Sequence, residues 1–246
     1  MIEQAERFLR ARKAGETFEA AILRANAWLA TVLDAGGREA LVNEWGGDFE
    51  GLRAATPVAV DIVGPPAHIG EIAMLEAWLG STLPPSYRRF LKTVGQVRFL
   101  HVPLRPTFPI GAIKLVTQGY REMLDEWFEG YDQEDFGHEW ASTSHGYKSW
   151  RDWPNGTGVF HPGEVQHRNF VPICPGFEED AHLLALHLAD PSGEAPVFQN
   201  FPDDGAAFAV RGTSFDAWMG SVVDELIRTA THVYDAPTSS TSRRLT

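Results

Sequence analysis

The chain has 246 residues, 43% of them apolar and 22% charged, which suits one large globular domain or a domain with an added segment. A formal net charge of −12 repels phosphate backbones and anionic lipid, so nucleic acid and membrane surfaces are poor partners and a basic protein is a good one. The single cysteine, Cys174, excludes an intramolecular disulfide and a cysteine-built metal site, and its apolar setting, Phe170 to Pro175, points to a buried structural thiol.

Residues 2–34 carry Phe8, Leu9, Phe18, Ala21, Ile22, Ala25, Leu29 and Val32 at helical spacing, with Gly15 dividing the run and Gly36-Gly37 ending it. A further short helix is expected at 38–45. The opening residues lack the apolar stretch of a signal peptide, and no apolar run has the length of a transmembrane helix, so the cytoplasm is the expected location. Residues 57–63 read as a strand. The following Gly64-Pro65-Pro66 marks the end of a helical N-terminal extension, 1–65.

Residues 69–80 predict a helix with Ile72, Leu75, Glu76 and Leu79 on one face and Gly80 as its stop. Leu83-Pro84-Pro85 opens another, because proline is tolerated in a first helical turn, and Tyr87, Phe90, Leu91 and Val94 form its apolar stripe. Residues 97–104 predict a strand, Ile110 to Val116 a second, and 118–129 a helix with Tyr120, Met123, Leu124 and Trp127 on one side. From about 130 to 156 the chain turns rich in Gly, Ser, Asp, Trp and Tyr without a clear period, which reads as a long insertion. Short strands then follow at 157–160, 170–174, 182–188, 195–199 and 206–210 with turn signals between them, the pattern of an antiparallel meander. A last helix is expected to start at Thr213 or Ser214, and the composition of 233–246 predicts a disordered tail.

Three separated pieces resemble the SUKH superfamily. The first is Ile72 to Gly80 followed by Leu83-Pro84-Pro85-Ser86-Tyr87 and Phe90-Leu91. The second is Phe170-Val171-Pro172-Ile173, an acidic turn ending in Asp180, and the strand Leu183 to Leu186. The third is Pro196-Val197-Phe198, then Thr213-Ser214-Phe215-Asp216-Ala217-Trp218-Met219. The family commonly has Asn-Gly after its Phe-Leu helix, where Val94-Gly95 stands here, and a Gly-Asp turn where the longer 176–180 stands here. The resemblance covers roughly residues 66–232 and implies an α+β fold, a mixed, mostly antiparallel sheet of about six strands surrounded by helices. It also implies binding rather than chemistry. Many bacterial members resemble immunity proteins that neutralise a toxin, and fungal relatives are regulators of cell-wall synthesis acting through protein contacts.

No nucleophile elbow, phosphate loop or dinucleotide fingerprint is present, so no catalytic residue and no cofactor is expected. The nine histidines include no metal-binding pair, and no metal site is expected either. The most suggestive stretch is 122–153. Between Arg121 and Lys148 lie eight acids and no Lys or Arg, interleaved with aromatic residues. Aromatic anchors within one sign of charge describe a protein-interface hot spot, and the acids would steer a basic partner such as a nuclease toxin. The candidate contacts are Trp127, Tyr131, Asp132, Glu134, Asp135, Phe136, Glu139, Trp140 and Trp150. The alternative arrangement is a solvated acidic loop whose aromatics tuck back into the core. Two functions fit: an immunity protein that neutralises a cognate toxin, or a regulatory or scaffold module acting through protein contacts.

Overall fold

A computed structural model of the chain describes Ala27 and residues 60–99, 106–130, 150–153, 156–159, 169–175, 181–201 and 207–222. The helices expected at 2–34 and 38–45, most of the insertion and the tail lie outside these residues. The chain divides into two compact units, Met1–Val60 with Val223–Thr246, and Asp61–Val222. All described residues except Ala27 and Val60 belong to the second.

Strand β1 (Val60–Gly64) precedes helix α1 (Ile69–Leu79). His68 starts α1 through a capping box. Its Nδ1 accepts from the Gly70 N–H at 3.2 Å, and its own N–H donates to the Glu71 carboxylate at 2.7 Å, so donors with no partner inside the helix are satisfied. Gly80 ends α1 in the left-handed conformation at φ 67°, as its position after the apolar run predicts.

Helix α2 (Pro85–Thr93) begins at the expected proline and buries Tyr87, Phe90 and Leu91. Its exit explains why glycine follows Val94. Gly95 has φ 84°, and a Cβ there would stand 2.1 Å from the Pro65 carbonyl oxygen. Any side chain would be both strained and blocked. Strand β2 (Gln96–Phe99) follows and pairs with β1 in a two-stranded sheet. Thr107 adds to the outer rungs of β2, donating its N–H to the Val97 carbonyl and accepting the Val97 N–H on its hydroxyl.

Residues 110–116 are not a strand. They open a single 21-residue helix, α3 (Ile110–Gly130). The β-branched Ile110, Ile113 and Val116 imitate a strand locally. However, the buried positions Ile113, Thr117, Tyr120 and Leu124 recur every three or four residues, and this longer period decides the structure.

The second sheet has five antiparallel strands in the order β3-β7-β6-β5-β4. They are β3 (Thr157–Val159), β4 (Phe170–Pro175), β5 (Ala181–Ala185), β6 (Val197–Phe201) and β7 (Ala207–Gly212). Strands β4 to β7 form the expected meander. The strand expected over 182–188 stops at Ala185, and Leu186–Leu188 turn as a 3-10 helix. The last helix, α4 (215–222), starts where Ser214 caps it, its hydroxyl accepting the Ala217 N–H at 3.1 Å.

The pairing register sorts the sheet into two faces, because directly opposed residues point the same way. One face carries Leu183 and Phe198 as partners, and next to them Asn200 opposite Ala181 and Phe208. The other carries Cys174, His182, Gln199 and Ala209 in one row. Register shifts between Pro172 and Cys174, which leaves Ile173 outside the ladder, and its carbonyl accepts the Phe108 N–H at 3.0 Å just ahead of α3.

Candidate interaction site

The acid-rich stretch begins on α3. Tyr120 and Leu124 on its inner side join the apolar cluster over Phe170, Leu183, Phe198 and Phe208. Glu122 and Asp125, on the outer side, are exposed. A helix locked down on one side therefore presents the first acids of the run to solvent, and its backbone continues through Glu126 and Trp127 to Gly130.

The stretch returns at the short 3-10 turn Trp150–Asp152. Trp150 is buried, and its ring stands edge-on to Phe198 at 5.6 Å, with the Arg151 guanidinium 4.5 Å from its centroid. Trp153 is also buried, 5.8 Å from Phe198. It lies flat against Gly158 of β3, where a Cβ would come within 2.4 Å of the indole. Of the two arrangements open to these aromatics in sequence, Trp150 and Trp153 take the packed one. Trp150 thus acts as an anchor within the protein. The side chain of Trp127, and all of Tyr131, Asp132, Glu134, Asp135, Phe136, Glu139 and Trp140, fall outside the described residues.

Tyr120 before the run and Trp150 after it belong to one cluster. The acidic residues between them are thereby tethered at both ends to the same sheet face. Their meeting does not show in sequence, since only the fold brings Tyr120 and Trp150 into one cluster.

The opposite face contains the one cysteine, with His182 directly across the strand pair. Burial pushes the Cys174 thiol far above its ordinary range, and its Sγ–H donates to the Pro175 carbonyl at 3.3 Å. Burial, and next the Arg211 guanidinium, pull His182 down to about 3. Both groups are neutral near pH 7, so the pair does not supply a thiolate and imidazolium. His182 instead packs against the Trp218 ring at 5.3 Å.

Two carboxylates distant from the acid run hold the start of α2. Glu194, in the β5–β6 connection, accepts from the Ser86 N–H at 2.9 Å and the Ser86 hydroxyl at 2.5 Å. Glu76 of α1 accepts from the Leu83 N–H at 3.0 Å and stands 3.4 Å from Arg88. The Leu-Pro-Pro-Ser segment is therefore a structural joint. Among the described residues no group of three or more His, Cys, Asp or Glu is placed to hold a metal ion, and no helix is long and apolar enough to cross a membrane.

Residues 66–221 match the model of the SMI1 / KNR4 family (SUKH-1). No curated protein matches the chain.

Proposed function

Because this chain belongs to the SMI1 / KNR4 family (SUKH-1), we propose that it is a non-enzymatic protein-binding module, and specifically an immunity protein that neutralises a cognate bacterial toxin. The observation that carries this reading is the doubly tethered acidic stretch. Eight acids lie between Arg121 and Lys148 with no Lys or Arg among them, and both flanks pack in one cluster on the sheet. Packing both flanks holds the ends of the stretch in place, which lowers the entropy lost on binding a partner. Its charge, within a chain of net −12, would raise the encounter rate with a basic surface. A nuclease toxin has such a surface, since it must attract phosphate.

The test is to purify the tagged full chain from its host and identify what accompanies it. A basic, toxic protein encoded beside it supports the reading, and Asp132, Glu134 and Asp135 are then reversed to lysine together. Binding should weaken and lose much of its salt dependence. Affinity that is equal at low and high salt in the unaltered chain would remove the steering argument. A stable assembly of housekeeping proteins with no toxin would favour the other reading, a regulatory or scaffold module acting through protein contacts.

A further inference from the structure

Surface helices normally turn polar residues outward. Helix α1 does not. Ile69, Ala73, Met74 and Ala77 all face solvent, with Ile69 48% and Met74 69% exposed. The two carboxylates on this helix lie beside the stripe, not in it, and each takes part in a local bond. Glu71 accepts the His68 N–H at the helix start, and Glu76 is occupied by the Leu83 N–H and Arg88.

The charge beside the stripe has the opposite sign. Trp78, one turn beyond Met74, is half-buried under two cations from α3, with Lys114 Nζ 5.4 Å and the Arg121 guanidinium 5.0 Å from its ring centroid. Next to Lys114, Leu115 is 74% exposed. An apolar helical stripe with a cationic border thus stands on a chain that is acidic overall.

We propose that the outward face of α1, bordered by Trp78, Lys114 and Arg121, docks an amphipathic helix of a partner protein whose apolar stripe is flanked by carboxylates. The three turns of α1 offer anchors for side chains spaced three and four apart, the way helices recognise one another in grooves. The cations select the flanks of the occupant. Carboxylates there meet Lys114 and Arg121, whereas ammonium groups meet repulsion. This face is opposite in sign to the acidic stretch that begins after Arg121, and it does not depend on the reading proposed above.

The test uses the full chain and two labelled synthetic helical peptides with leucines at every third and fourth position, one flanked by glutamates and one by lysines. Binding is followed by fluorescence anisotropy. The glutamate peptide should bind and the lysine peptide should not. Met74→Glu should weaken binding about tenfold, and Lys114→Glu should shift preference toward the lysine peptide. Both sites are exposed, and circular dichroism checks that each variant keeps its fold. Should Met74→Glu fail to fold, Ala73→Glu probes the same stripe. No binding by the glutamate peptide, equal binding of both peptides, or binding unaffected by Met74→Glu would overturn the proposal. So would a monomer–dimer equilibrium in the free chain that Met74→Glu abolishes, since the stripe would then serve a second copy.

Discussion

On one face of the five-stranded sheet, α3 and the Trp150–Asp152 turn lie over Phe170, Phe198 and Phe208, where rings and aliphatic groups pack together. On the other face, α2 and α4 bring together Tyr87, Phe90, Phe215 and Trp218, and polar braces fix where these helices sit. Glu194 caps α2, Arg89 pairs with Asp216 across the two helices, and Ser214 caps α4. Both faces bury polar atoms that find no partner among the described residues, the Asn200 amide and the Tyr120 hydroxyl on the first, the Tyr87 hydroxyl and His182 Nδ1 on the second. Packing of apolar groups sets how strongly two layers adhere, whereas hydrogen bonds to charged groups set their register. The family's helical motifs on α2 and α4 fall on the braced face, while Phe170, Leu183 and Phe198 of its strand motifs point to the packed one. The aromatics that end the acidic stretch fall on the first face, packed among rings and aliphatic side chains.

The contrast can be broken from the packed side first. Phe198→Ala removes the ring shared by Trp150, Trp153 and Phe208 and should cost about 4 kcal/mol in chemical denaturation. A loss under about 1 kcal/mol would mean that the face does not depend on that ring.

Next in size is a pH effect on the braced face. His182 stays neutral in the folded chain down to about 3, whereas its ordinary value is 6.5. Between those limits the unfolded chain binds the extra proton, so stability is complete above about 6.5 and falls as pH drops, by about 3 kcal/mol at pH 4. His182→Phe should flatten that slope, and an unchanged slope would assign it to other groups.

Glu194→Ala then strips both acceptors from Ser86 and should cost about 2 kcal/mol, with Glu194→Gln retaining part of it. The smallest effect belongs to Asp216→Ala. Arg89 and Asp216 are both about half exposed, so their pair should contribute less than about 1 kcal/mol, and less still in high salt. A larger value would show that the brace sets more than register.

Much of the fold is legible in the chain because it depends on near neighbours. The capping of α4 by Ser214, the proline start of α2, the glycine stop of α1 and the meander of β4 to β7 all follow from residues a few positions apart. Where local and longer-range signals conflict, the local one misleads. Ile110, Ile113 and Val116 read as a strand until the burial of Thr117, Tyr120 and Leu124 extends the period to a helix. The strand expected through Leu188 also ends early, at Ala185, and Leu186–Leu188 turn as a 3-10 helix. The site was legible only as composition. A count of acids and rings locates the stretch, but it cannot tell Trp150, which packs on Phe198, from a residue that meets a partner. That distinction rests on which side of the sheet Phe198 faces.

The cap on α2 also bears on the order of events during synthesis. Ser86 and Glu194 stand 108 positions apart. As the ribosome releases the chain from its N-terminus, the Ser86 N–H in the first turn of α2 is left to water until the β5–β6 connection has emerged. A contact of such long sequence separation forms late and slows folding. The Leu-Pro-Pro-Ser joint therefore closes only on a chain that has been translated past Glu194, which makes it a built-in marker of near-complete synthesis of this unit.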